Sequence, residues 1–145
     1  MPEFKNPAVA ASVCVFAKKE NAVLMIKRLK EPFKDAYAFP GGFMDTDNED
    51  IYDTAVRELA EETGIKVRKQ DLQLIGIGSA PKRDPRGHVL DVRFMAVIDK
   101  ALVLPKEADE APVWVPVDKV SNLQLAFDHS EYWAQVKIRL TKRYK

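Results

Sequence analysis

A chain of 145 residues with 46% hydrophobic and 31% charged side chains has the composition of one globular domain, long enough to bury about 68–70% of the surface its unfolded form exposes. That composition excludes disordered, collagen-like and coiled-coil classes, and a net charge of +1 excludes a protein-wide field for nucleic acid. The single cysteine, Cys14, excludes a disulfide framework and points to a reducing, cytoplasmic setting in which it is a buried, inert thiol.

The first seven residues, Met1 to Pro7, lack the basic-then-apolar pattern of a signal peptide. Ala8 to Ala17 is rich in Val with Phe and predicts a buried strand, bounded by Pro7 and the Lys18-Lys19-Glu20-Asn21 turn. At about ten residues this apolar stretch is too short to cross a bilayer, so no membrane partner is expected. Ala22 to Arg28 follows as its hairpin partner, and a short strand around Ala36 to Phe39 leads into Phe39-Pro40-Gly41-Gly42-Phe43. That segment reads as a loop whose two glycines open φ values closed to other residues and allow close approach to a ligand. A helix is predicted over Glu49 to Thr63, ended by Gly64. Leu72 to Ser79 and His88 to Ile98 are strands flanking a polar loop, and Val113 to Pro116 is a last short one. Asp128 to Tyr144 carries Trp133, Val136, Leu140 and Tyr144 at near-helical spacing, with basic residues toward its C-terminal end. With no repeats or linkers, residues 1–145 read as a single domain without room for a second, of α+β class with a mixed sheet between helices.

The predicted central helix carries the chemistry. Glu58, Glu61 and Glu62 are spaced i, i+3, i+4, which places three carboxylates on one face, where like charges repel by about 0.2–0.5 kcal/mol per pair. A hard divalent cation bound through oxygen would remove that repulsion. The alternative from the residues alone is an acidic solvated face beside the apolar stripe of Ile51, Ala55 and Leu59.

Read with the segment before it, the pattern is Gly42, six residues, Glu49, seven residues, then Arg57-Glu58-Leu59-Ala60-Glu61-Glu62-Thr63-Gly64-Ile65. This resembles the signature box of the Nudix hydrolases. The family's box has five residues between its glycine and first glutamate, and this chain has one more in Phe43 to Asn48. The resemblance implies a Nudix-like α/β/α sandwich with a mixed central sheet. It also implies that Glu58, Glu61 and Glu62 bind metal with help from the Gly42 carbonyl, Mg²⁺ being expected and Mn²⁺ the alternative, and that Glu49 pairs with Arg57.

Two further stretches, Ser79-Ala80-Pro81-Lys82-Arg83-Asp84-Pro85-Arg86-Gly87-His88 and Leu125-Ala126-Phe127-Asp128-His129, resemble segments of the ADP-ribose pyrophosphatases within that family. The implied substrate is a small nucleotide diphosphate, ADP-ribose, cleaved to AMP and ribose 5-phosphate, and no nucleic-acid partner is implied. Arg83 and Arg86 offer planar forks for bidentate phosphate contact, or they belong to a solvated turn shaped by Pro85 and Gly87 with Asp84 pairing locally. Arg28 matches an arginine often found at that place in the family and is a further phosphate candidate.

His129 follows Asp128, a candidate N-cap, and is either a structural histidine bonding backbone or a substrate contact. His88 has no partner pattern. Glu110, with Glu107 and Asp109, is either the source of a catalytic carboxylate, as the resemblance implies for a loop there, or a solvated acidic loop. Phe43 and Tyr37 either stack on a base or belong to the core. The resemblance allows a homodimer. It also leaves two alternative functions, hydrolysis of another nucleoside diphosphate derivative or a triphosphate, and a non-catalytic module that senses ADP-ribose.

Overall fold

Ala8–Ala17 forms a strand, β1, around which the other elements are arranged. The computed structural model of the chain describes residues 5–104 and 111–143. The remaining strands are β2 (Ala22–Lys27), β3 (Tyr37–Ala38), β4 (Gly41–Phe43), β5 (Gln73–Gly78), β6 (Val89–Ile98) and β7 (Ala111–Pro116), and the helices are α1 (Ile51–Thr63) and α2 (His129–Arg143). Short 3-10 turns cover Lys69–Asp71 and Val117–Asn122. Among the described residues, no helix is long and apolar enough to cross a membrane.

β1 lies parallel to β6 along its whole length, from Ala8 opposite Val89 to Ala17 opposite Ile98. One end of β1 pairs antiparallel with β2, Phe16 opposite Val23, and the other with β4, Ser12 opposite Gly41. β2 also pairs with β3 and β7, and β6 with β5, which gives one mixed sheet. A central strand flanked on both faces reads as an unbroken apolar run, which is why Ala8 to Ala17 shows little polar alternation.

The two faces of that run divide the core. Ala11, Val13 and Val15 pack with Ala55 and Leu59 of α1, whereas Cys14 and Phe16 pack with Tyr132, Trp133, Val136 and Leu140 of α2. The α/β/α sandwich and its mixed central sheet therefore follow from period-two side-chain placement in β1 and the apolar stripes of the two helices. Trp133, Val136 and Leu140 take the buried positions their spacing predicts, and Tyr144 lies outside the described residues.

Two local expectations need correction. Gly41 and Gly42 form part of a strand rather than a loop, and neither is among the glycines with positive φ, which are Gly64 and Gly87. They are required for close approach: a Cβ on Gly41 would stand 2.2 Å from the Ala11 carbonyl oxygen, and one on Gly42 would stand 2.3 Å from the Glu58 carboxyl carbon. The helix begins at Ile51 rather than Glu49, because Asp50 and Asp53 exchange side-chain and backbone bonds in a capping box, the Asp53 N–H reaching the Asp50 carboxylate at 2.8 Å. Gly64, at φ 76°, closes the helix as expected, its N–H donating to the Ala60 carbonyl.

Candidate active site

The residue in excess of the family spacing is absorbed in a turn after β4. Asp45 organises it: its carbonyl accepts from the N–H groups of Asn48 and Glu49, and its carboxylate accepts from the Asp47 N–H and the Asn48 amide. The turn still delivers Glu49 to Arg57. Arg57 Nε donates to Glu49 at 2.6 Å and Nη2 at 3.0 Å, while Nη2 also reaches the Phe43 carbonyl. Nη1 donates to Glu58 at 2.7 Å and to Glu61 at 3.2 Å. One guanidinium thus binds Glu49, Glu58 and Glu61, which relieves the repulsion between two of the three glutamates that share the helical face, Glu58 and Glu61. The Arg57 bonds hold the Glu49 carboxyl down to about 2, and the same pairing raises Arg57 further above its ordinary value.

Glu58 and Glu62 line a cleft of about 460 Å³, together with Gly41, Gly42 and Arg57. The Gly41 N–H donates to Glu62 at 3.4 Å. Glu61 belongs to the same helical face but is absent from the cleft lining, and its side chain is 60% exposed and turned to Arg57. Among the described residues no three carboxylates, histidines or cysteines converge into a ready ligand set. The donor chemistry nevertheless suits a hard cation: carboxylate oxygens of neighbouring turns beside a glycine whose missing Cβ leaves the Glu58 carboxylate room.

Arg28, Arg83, Arg86 and Phe127 line the same cleft. The Arg83 side chain is only 4% exposed, and its Nε donates to Asp128 at 2.9 Å. Arg86 forks onto the buried Asp84 at 2.8 Å, as the local-pairing reading expects, yet stays half-exposed and holds its guanidinium over the Phe43 ring. Arg28 Nε donates to the Pro32 carbonyl at 2.7 Å. The structure therefore brings Arg57, Glu58, Glu62, Gly42, Arg28, Arg83 and Arg86 to one cavity. Glu110, with Glu107 and Asp109, lies outside the described residues. Phe43 lines the cleft, whereas Tyr37 packs on the α2-side core.

Beneath the arginines lies a buried polar network that sequence reasoning missed. Asp91, 2% exposed, accepts from Ser12 Oγ at 2.7 Å and lies near Arg83, Arg93 and His129. Arg93 is fully buried against Asp128, and among the described residues its Nη1 has no hydrogen-bond partner. His129 Nδ1 accepts from the Phe39 N–H at 3.1 Å, which leaves the proton on Nε2, facing Asp91. The histidine is thus a structural one that bonds backbone, although it also lines the cleft. The Asp128 side chain serves Arg83 and Arg93 instead of capping the helix, and its carbonyl accepts the first α2 bonds from Glu131 and Tyr132.

Burial alone would raise Asp91 and Asp128. Bonds from His129 and Ser12 to the first, and from Arg83 and Arg93 to the second, outweigh it and hold both below the usual carboxylate range. A signal existed: Asp91 and Arg93 alternate with Met95 and Val97, which puts two charges on an otherwise apolar strand face.

A family model described as the NUDIX domain matches residues 6–136. The ADP-ribose pyrophosphatase of Methanocaldococcus jannaschii is 39% identical over 130 residues, 88% of this chain and 72% of that protein. The ADPR responsive transcriptional repressor NtrR of Acinetobacter baylyi is 32% identical over 145 residues, 97% of this chain but only 57% of that protein. Among solved structures, the NUDIX domain of Shewanella oneidensis NrtR complexed with ADP ribose aligns with a TM-score of 0.83 at 27% identity, covering 94% of this chain and 90% of that one.

Proposed function

Because the chain belongs to the NUDIX family and is a Nudix hydrolase, we propose that it hydrolyses the diphosphate of ADP-ribose to AMP and ribose 5-phosphate with a bound divalent cation. The carrying observation is a single cleft lined both by Glu58 and Glu62 and by Arg28, Arg83 and Arg86. Such a cavity presents acceptors for a cation and donors for phosphoryl oxygens at once. The 39% identity to an ADP-ribose pyrophosphatase and the likeness to an ADP-ribose-bound NUDIX domain support the choice of substrate.

In this reading Glu58, Glu61 and Glu62, with the Gly42 carbonyl, would hold Mg²⁺, or Mn²⁺ in its place. When bound, the cation supplies neutralisation of charge on the phosphoryl oxygens and lowers the pKa of water. Arg57 holds Glu58 and Glu61 in position while Glu49 anchors it from the other edge. Arg28, Arg83 and Arg86 bind and orient the diphosphate for in-line attack. Water adds to one phosphorus, the bond to the bridging oxygen breaks, and the proton released passes to a carboxylate, either a glutamate of α1 or Glu110. Cytoplasmic residence fits the lone buried Cys14, and the proposal extends to a homodimer, which light scattering checks.

A second reading, an ADP-ribose-binding sensor, is favoured by the 32% identity to NtrR. The retained Glu58, Glu61 and Glu62 favour hydrolysis. Release of AMP from ADP-ribose and Mg²⁺, measured beside a panel of nucleoside triphosphates and dinucleotides, separates the readings. ADP-ribose should be the preferred substrate; binding without AMP release would support the sensor, and preference for another nucleotide would replace the substrate.

A further inference from the structure

Phe127 adopts φ 53°, a left-handed conformation in which a bulky side chain is an outlier. Backbone strain of this kind persists only where the surroundings over-determine it, and it gathers at ligand clamps. The surroundings here do so. The Ala126 N–H donates to the Tyr37 carbonyl at 2.7 Å, the Tyr37 N–H donates to the Gln124 carbonyl at 2.8 Å, Asp128 is fixed by Arg83 and Arg93, and His129 by the Phe39 N–H.

Held in this way, one half-buried ring meets three guanidinium groups. Arg28 lies 5.1 Å from its centroid, Arg83 5.5 Å and Arg86 5.7 Å. Each of the three is tied by Nε to an oxygen on its other side, at Pro32, Asp128 and Asp84 respectively. Three like charges around one point repel, and the negative face of an aromatic ring is the chemistry that attracts them without removing a donor. Among the described residues the nearby charges do not cancel: Arg28, Arg83, Arg86 and Arg93 stand with three carboxylates, Asp84, Asp91 and Asp128. Arg28 has a carbonyl and a ring as its partners among the described residues. This end of the cleft therefore keeps an unmet positive charge.

We infer that Phe127 is a positioning residue that gathers Arg28, Arg83 and Arg86 around its ring into a receptor for the diphosphate group, which a residue of equal bulk without a ring cannot assemble. The inference rests on reading the cleft as a diphosphate site. Phe127 acts through the arginines, so its loss weakens binding and leaves the glutamate wall untouched.

The test compares Phe127→Leu, which keeps apolar bulk, with Phe127→Tyr, which keeps the ring. Two quantities are read: KM and kcat for ADP-ribose with Mg²⁺, and the calorimetric affinity for ADP without divalent cation. In Phe127→Leu, KM should rise about tenfold and ADP affinity fall by a similar factor, with kcat within about twofold, while Phe127→Tyr restores both. Wild-type KM and ADP affinity in Phe127→Leu would overturn the inference, as would equal losses of kcat and affinity in the two variants. If circular dichroism shows Phe127→Leu unfolded, Phe127→Met takes its place as the ringless variant. Should the wild type release no AMP from ADP-ribose, the substrate reading falls alone, and the ADP arm still decides the role of Phe127.

Discussion

The two faces of the sheet handle charge in opposite ways. On the α1 side the charged groups reach the rim: Arg57 is one-third exposed and Glu61 mostly exposed, with Glu49 and Glu58 more covered beneath them. On the α2 side Arg83, Asp91, Arg93 and His129 are almost wholly withdrawn from water and held by one another. Groups that solvent reaches can adjust their partners at little cost, which the proposed cation site would use. Buried groups cannot exchange partners cheaply, because an uncompensated charge in a dry interior costs several kcal/mol. In the proposed function, the adaptable part of the cleft would serve the chemistry and the rigid part would help hold the substrate.

The sharpest way to break this division is at the α1 wall. Glu62→Gln should lower AMP release from ADP-ribose at least about 100-fold while the thermal midpoint stays near wild type, since a cation loses an anionic ligand and the fold loses nothing buried. Undiminished turnover would remove the glutamates from the mechanism. The α2 side should respond in the other currency. Arg93→Met leaves Asp91 and Asp128 without a buried counter-charge and should cost about 3–5 kcal/mol in urea unfolding, whereas Arg57→Met, at the rim, should cost under about 1 kcal/mol and act mainly on turnover.

A finer comparison uses the two glycines that let charged side chains close in. A Cβ on Gly78 would meet Arg93 Nη2 at 2.1 Å, and one on Gly42 would meet the Glu58 carboxylate at 2.3 Å. Gly78→Ala should destabilise the protein by about 1–3 kcal/mol, because a buried guanidinium has nowhere to move. In Gly42→Ala the freer carboxylate can swing away, so stability should hold and turnover fall. Equal stability losses in the two variants would erase the distinction between rim and interior.

The smallest effect is in acid. Asp91 and Asp128 have folded values held below their ordinary 3.8, so the stability they contribute is complete above that value and is lost as the pH falls through their lower folded values. Glu49, lowered from 4.5 to about 2 chiefly by its bond from Arg57, follows the same sign over its own window. Urea titrations of the wild type and Asp91→Asn between pH 2 and pH 6 should show less stability for the variant near pH 6 and a shallower acid decline. Parallel curves would mean that the network does not set the acid limb.

How much of this was legible in the chain follows the same division. The α1 wall is local: Glu49 to Gly64 lie within one helix and its approach, so spacing alone predicts that Glu58 and Glu62 share a face, while the resemblance to the Nudix box supplies the pairing of Glu49 with Arg57. The longer strands and both helices were equally readable, because apolar periods are strong in β1 and α2, whereas the three-residue β4, glycine-rich and without a period of its own, read as a loop. The arginine part of the cleft and the polar network beneath it are assembled from residues far apart in sequence, Arg28 just after β2, Asp91 and Arg93 from β6, and Phe127 to His129 from the approach to α2. No local spacing announces such meetings. The role of Gly41 and Gly42 was hidden for a related reason, since Ala11 and Glu58, which crowd them, lie on other elements.

The division of labour is tested most directly by measuring ADP-ribose affinity and AMP release together in the wild type, Glu62→Gln and Arg86→Gln. The account predicts that Glu62→Gln still binds ADP-ribose but releases almost no AMP, and that Arg86→Gln binds more weakly yet recovers most of its turnover at saturating substrate. Loss of binding and loss of cleavage in equal proportion in both variants would contradict it.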